Sequence, residues 1–219
     1  MAPSADSKPH LIGALMARLH RPVYERRKSV LVQTIAPALP SGARVLDVGC
    51  GSGLLGRALM DARPDLKVEG LERYPRPDPA IPVTAYDGRT MPFSDGAFDA
   101  VIVADVLHHE EDPHRLLAEC VRVSRGLIVI KDHALQGPLA QQRVSFIDWA
   151  ANAPYGVKCL YRYNTLAQWR EWLARHQLRP IHEHASMNLY PPGLNMLFGR
   201  RLQYMAIAQR APAPGAATA

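Results

Sequence analysis

Apolar positions along the chain follow two rhythms. Near the start Leu11, Ile12, Leu15 and Leu19 recur at helical spacing. Pro22 interrupts, and a second helical pattern runs from Val23 to Ile35 until Pro37 and Pro40 end it. Two opening helices are therefore expected within residues 1–40. From Arg44 the rhythm shortens into β-rich runs: RVLDV, KVEGLE, PVTAY, FDAVIVA and GLIVIKD. FDAVIVA is almost continuously apolar, as a strand covered on both faces must be. Between these runs LLGRALMDAR and DPHRLLAECVRV read as helices, the second with Asp112 as N-cap and Pro113 at its first position. Strands alternating with helices predict an α/β, doubly wound, mostly parallel sheet, with the loops after the strands gathered on one ligand-binding edge.

After Asp132 the alternation lapses. Residues 138–151 look helical, 152–164 irregular and rich in Tyr, and Thr165–His176 helical again with Thr165 as N-cap. Two strands are expected to close the fold, about 179–187 and 195–209, joined by LYPPG. One domain over 1–210 is expected, with 133–164 as a helical, aromatic lid insertion and 211–219 as a disordered tail.

Composition changes little in this picture. Of 219 residues, 47% are hydrophobic and 21% charged, an ordinary globular balance. The net charge of +6 invites a nucleic-acid reading, but the basic residues are scattered, with Arg26, Arg27 and Lys28 the only triplet. Cys50, Cys120 and Cys159 are an odd number at wide spacing, which suits reduced thiols rather than a metal knuckle. No leader pattern or membrane-length apolar run is visible, so a cytoplasmic protein without membrane or nucleic-acid partners is expected.

The chemistry concentrates in VLDVGCGSG. Asp47 ends the first strand, and Gly49, Gly51 and Gly53 let the backbone turn tightly beside a ligand at a helix N-terminus. The spacing is G-x-G-x-G, with Leu54 where a dinucleotide fingerprint needs its third glycine. Asp47 would repel a pyrophosphate and suits a cationic amino group instead. Both points argue against a dinucleotide oxidoreductase. Glu72 ends the second strand, where an acid accepts hydrogen bonds from ribose hydroxyls.

At these residues the chain resembles the class I S-adenosylmethionine (SAM)-dependent methyltransferases, in their single-domain, small-molecule form. The resemblance covers about Arg44–Asp132 well. It implies a Rossmann-like seven-stranded sheet with an antiparallel last strand. It also implies SAM as cofactor, with Asp47, Gly49, Cys50, Gly51 and Gly53 along its methionyl part. Glu72 would sit on the ribose, and Arg73 would flank the adenine or be exposed to solvent. Asp87 and Gly88, followed by RTMPFSDGAFD, would meet the adenine edge, the alternative for Asp87 being an ordinary turn residue. In ADVLHHEEDP, Ala104, Asp105 and His108 would border SAM, and His108 and His109 would face the donor methyl or the acceptor.

Asp105, His108 and His109 also read as a carboxylate and two histidines for a divalent metal. Adjacent histidines tend to diverge, however, and no metal is expected. His133 follows Asp132 at the end of the fifth strand; it is a candidate general base whose ring Asp132 orients, or a satisfied strand-end histidine. His109 is the second candidate. Trp149, Tyr155, Tyr161 and Tyr163 are candidates to line the acceptor pocket, with core packing as the alternative. The expected function is methyl transfer from SAM to a small, partly apolar acceptor, O-methylation favoured. Alternatives are an RNA or protein substrate, for which no N-P-P-Tyr-type motif is present, and a SAM-binding regulatory protein without turnover.

Overall fold

The structure, a computed structural model, describes residues 8–152 and 159–211. Seven strands form one sheet: β1 (Arg44–Val48), β2 (Lys67–Glu72), β3 (Val83–Ala85), β4 (Phe98–Ala104), β5 (Ser124–His133), β6 (Leu178–His184) and β7 (Gln203–Arg210). Their order is β3-β2-β1-β4-β5-β7-β6, and β7 alone runs antiparallel to its neighbours. This is the expected mixed, doubly wound sheet. Of the two edge strands, β3 is half-buried and β6 largely exposed, and β6 carries Pro180 where an edge tolerates it.

Strand alternation splits the core in two. On one face Phe98, Val101 and Val103 of β4, Ile128 and Ile130 of β5 and Tyr204 and Ala206 of β7 pack under α3 (Pro113–Val123) and α5 (Leu166–Arg175). On the other, Ala100, Ile102, Val129, Met205 and Ile207 pack under α1 (Lys8–Ile35) and α2 (Leu54–Ala62). The period of two expected of a sheet covered on both sides is thus filled on both sides. α4 (Ala140–Asn152) sits on a small third cluster of Ala140, Val144, Tyr163 and Leu202.

Three expectations need correction. The opening pair of helices is one helix, α1, continuous through Pro22. Pro22 is exposed, so the backbone group left unpaired by the missing N–H can turn to water, while Leu31 and Ile35 anchor the helix on the sheet. The last strand is shorter than 195–209, because Pro192–Phe198 forms a further helix, α6, started by the Pro191-Pro192 pair and stopped at Gly199. The strand before it ends at His184 rather than Met187. Elsewhere the local signals hold: Asp112 accepts the Arg115 N–H at the start of α3, and Thr165 with Gln168 forms a capping box on α5. Among the described residues, no helix is long and apolar enough to cross a membrane.

The strand order reverses between β1 and β4, which pair along Val45–Val48 and Ala100–Val103. The C-terminal ends of β1, β2, β4 and β5 therefore open on the same edge, at the point where doubly wound sheets take their ligands.

Candidate active site

Asp47 lies on β1 under the glycine loop and is 3% exposed. Its Oδ2 atom is buried with no hydrogen-bond partner. Burial, and then the nearby Glu72 carboxylate, push its pKa up to about 7. The Gly56 N–H acts on this carboxyl in the lowering sense, and a cationic ammonium fits the remaining buried oxygen in charge and hydrogen bonding. Glu72 meets the loop from β2. Its Oε2 accepts the Gly51 N–H at 2.9 Å and its Oε1 the Arg73 N–H at 2.8 Å, so the acid stitches the loop to the second strand. Gly49 is required by close approach: at its φ of +67° a Cβ would lie 2.5 Å from Val106 Cγ2. The Cys50 thiol is raised to about 12 by burial and by Asp47, so it is not a nucleophile.

Arg73 is neither free nor fully exposed. Its guanidinium donates to the Gly88 carbonyl at 3.2 Å and pairs with the buried Glu110 at 3.2 Å. It lies so close over Gly88 that a Cβ there would fall inside it. Asp87 is exposed and accepts the Arg89 and Thr90 N–H groups, which lowers its pKa. That is the turn-forming geometry weighed for it.

At the ends of β4 and β5 a buried polar cluster forms. Ala104 borders Asp105, whose φ is +56°. Asp105 pairs with Arg27 of α1 and with Lys131 Nζ at 2.5 Å. Burial works against its charge, but Lys131 and Arg27 hold it well below the usual carboxylate range. Lys131 is fully buried and also donates to Gln203 Oε1 at 2.8 Å.

His108 lies between two carboxylates. Its Nδ1 is 2.6 Å from Asp132 Oδ1, and its Nε2 is 3.5 Å from Asp148 Oδ1. Against the cost of burial, Asp132 and Asp148 raise it to about 10. His109 Nε2 stands 3.6 Å from the same Asp148 oxygen. Asp148 also accepts from Tyr163 through Oδ2 at 2.6 Å and from Asn152 through Oδ1 at 2.8 Å, and the Cys159 side chain hydrogen-bonds to it. Although buried, Asp148 is lowered to about 2, chiefly by its bonds from His108 and Tyr163.

The expectation that Asp132 orients the ring of His133 is corrected: Asp132 Oδ1 accepts the backbone N–H of His133 at 2.7 Å, while its side-chain partner is His108. The His133 ring points at Gln203, 3.4 Å away, and burial with Lys131 pushes it down to about 4. Of the aromatic candidates Tyr163 joins the cluster, whereas Trp149 and Tyr161 are 53% and 43% exposed. Tyr155 lies outside the described residues.

Sequence reasoning missed Arg27, Lys131, Asp148, Asn152 and Gln203. Two signals were present. Lys131 is a charge inside the apolar run LIVIKD. Val144, Asp148 and Asn152 recur every fourth residue, on one face of α4.

Comparison with known proteins bears on the family and the fold. A family model described as a methyltransferase domain matches residues 20–183. An uncharacterized methyltransferase of Mycobacterium sp. (strain JLS) is 33% identical over 132 residues, 56% of this chain and 52% of that protein. The demethylmenaquinone methyltransferase of Renibacterium salmoninarum is 34% identical over 122 residues, 52% and 51% of the two chains. The chain thus spans about half the length of the curated relatives it matches. The 1,6-didemethyltoxoflavin-N1-methyltransferase of Burkholderia thailandensis, solved with its acceptor and S-adenosylhomocysteine bound, superposes with a TM-score of 0.61. It covers 97% of this chain and 93% of its own at 18% identity, a likeness of fold. The fold and the breadth of the family match together place the chain in the class I SAM-dependent methyltransferase family.

Proposed function

We propose that this chain transfers the methyl group of SAM to a hydroxyl of a small, partly apolar acceptor. The observation that carries the reading is the pairing of two sites on one sheet edge: the donor-hungry Asp47 with Glu72 at β1 and β2, and the histidine–carboxylate cluster at β4 and β5. When bound, SAM supplies an electrophilic sulfonium methyl. Asp47 takes the ammonium of its methionyl part under Gly49, Cys50, Gly51 and Gly53, and Glu72 takes the ribose hydroxyls. Arg73, Asp87 and Gly88 border the adenine, and Ala104, Asp105 and His108 close the side towards the reacting carbon. The protein's main contribution is to hold the two reactants in line and keep water out.

A hydroxyl is a poor nucleophile until it loses its proton, and the cluster is where that happens. His109, with 17% of its side chain exposed, is the ring that borders the open side and meets the acceptor. His133 is sealed behind it and shapes the floor with Tyr163. An amine or carbon acceptor would need no such group. The partly apolar character of the acceptor is supported by the rings around the cluster and by the quinone named for the Renibacterium relative.

The test is formation of S-adenosylhomocysteine from SAM with a panel of phenols and hydroquinones beside matched anilines. Turnover is expected with the hydroxyl series; turnover confined to amines would defeat the reading. Asp47→Ala and Glu72→Ala each remove a charged hydrogen-bond acceptor, an interaction of roughly 1.5–3 kcal/mol. Calorimetry should show each weakening SAM binding about tenfold or more.

A further inference from the structure

We propose that His108, His109 and Asp148 form a binding site for a divalent cation of the zinc type. The site deepens the proposed function, since it lies where the acceptor's hydroxyl is placed.

Each of His108, His109 and Asp148 places one ligand atom within 4.8 Å of the others. The two histidine nitrogens stand 3.5 and 3.6 Å from the carboxylate oxygen. Zinc ligands at about 2.0–2.2 Å in a tetrahedron are separated by roughly 3.4 Å, so the cluster is already near the required spacing. The sequence separates the ligands: the adjacent histidines share a 3-10 turn, Leu107–His109, and the carboxylate comes from α4. In that turn the two rings do not diverge, their centroids being 4.0 Å apart. The sequence-based expectation of no metal missed this third ligand.

The surroundings support the same reading. His108 offers Nε2 because its Nδ1 is engaged by Asp132, the carboxylate–histidine arrangement that fixes the tautomer and orientation of a metal-bound imidazole. Tyr163 donates to Asp148 Oδ2 and leaves Oδ1 pointing into the cluster. The amide of Asn152 sits among these atoms, with Nδ2 2.8 Å from Asp148 Oδ1 and 3.5 Å from His109 Nε2. The same Nδ2 donates to the Asp148 backbone carbonyl at 3.0 Å, so the amide holds Asp148 in place and the fourth position of a tetrahedron falls to water or the acceptor's hydroxyl. A second triad, Asp105, His108 and Asp132, meets the same spacing, but its carboxylates are already engaged. Asp105 is spent on Arg27 and Lys131, and Asp132 already holds His108 through Nδ1. Two imidazoles and a carboxylate suit zinc, cobalt or manganese in preference to magnesium. A cation there would lower the pKa of a bound hydroxyl.

The full chain is stripped with chelator and titrated with Co²⁺ followed by visible absorption, then with Zn²⁺ and Mg²⁺ as competitors. The expected result is one Co²⁺ per chain with a d–d spectrum of low coordination number, displaced by Zn²⁺ and not by Mg²⁺. His109→Ala and Asp148→Asn should each weaken Co²⁺ binding at least about tenfold, with circular dichroism and SAM binding retained as controls on folding. His114→Ala should leave it unchanged, although His114 and His176 form a second ring pair 3.1 Å apart at the surface. Three results would each overturn the site: no stoichiometric binding, binding indifferent to both ligand variants, or binding lost in His114→Ala. Methyl transfer that persists in chelator, with no Co²⁺ bound, removes the cation while leaving the proposed function standing.

Discussion

Asp47 is the residue whose environment says most about its partner. Its carboxyl is raised to about 7 by burial and by Glu72, with the Gly56 N–H and then Arg27 acting in the opposite sense. The unfolded chain ionises this group near its ordinary value of about 3.9. Between that value and 7 the folded state holds the extra proton, so stability falls as pH rises through this window. Asp47→Asn removes the penalty. One pKa unit is about 1.4 kcal/mol and the shift exceeds one unit, so Tm at pH 8 should rise by at least roughly 2–4 °C, with less gain as pH falls towards 4. Binding runs the other way in the native protein: a cationic ammonium requires the ionised form, so SAM affinity should strengthen from pH 6 to pH 8. Calorimetric titrations across that range, flat with pH in the native chain, would show that Asp47 does not face the cation. Asp47 and Glu72 were legible because their roles follow from place, at a strand end beside a glycine loop. Asp148 was not, because only the fold carries α4 back over β4 and β5, and Asp132 was assigned the wrong histidine because chain adjacency does not give ring direction.

At the scale of elements, the readable parts are those in which local chemistry and packing agree. β1, β2, β4 and β5 announced themselves as apolar runs because both faces of this sheet are covered. α3 and α5 announced their starts through Asp112 and Thr165. The misread parts are those where proline and spacing signals conflict with tertiary contacts: α1 continues past Pro22, and α6 interrupts a run that reads as strand. Thr165 gives a clean measure of how much a local signal contributes. Its side chain accepts the Gln168 N–H at 3.3 Å, and Gln168 Oε1 returns the bond to the Thr165 N–H at 2.8 Å. Both residues are at the surface, away from the cluster, yet α5 carries Trp169, whose indole donates to the His133 carbonyl at 2.8 Å. Thr165→Ala should destabilise the chain by about 1 kcal/mol, lowering Tm by roughly 2–4 °C and leaving SAM affinity unchanged. An equal loss of SAM affinity would mean that fraying of α5 reaches the site through Trp169, and an unchanged Tm that the box is only a surface ornament.

Across the whole molecule, the first helix, the switch point of the sheet and its antiparallel strand meet in one buried chain of charge and hydrogen bonds. Arg27 of α1 pairs with Asp105 after β4, Asp105 with Lys131 of β5, and Lys131 with Gln203 of β7, whose amide donates in turn to the Phe198 carbonyl at the end of α6. Lys131 is fully buried, and burial pulls its pKa down while Asp105 supports the charge. Arg27 and Asp105 keep about a fifth of their side chains exposed. The two cations are therefore unequal. Lys131→Met keeps the packing stem but strips a sealed carboxylate contact and leaves Gln203 Oε1 without its donor. That should cost about 3–5 kcal/mol, as for other buried pairs broken on one side. Arg27→Ala removes a partly solvated partner while Lys131 stays, and should cost about 1 kcal/mol. With both gone, Asp105 keeps neither of its ion-pair partners, so the double variant should lose more than the sum, by about 0.5–3 kcal/mol. Urea unfolding of the four proteins, followed by circular dichroism, gives all three quantities. Strict additivity, or a Lys131→Met variant as mild as Arg27→Ala, would mean that the chain of charge does not couple α1 to the sheet, and that the helix is held by Leu31 and Ile35 alone.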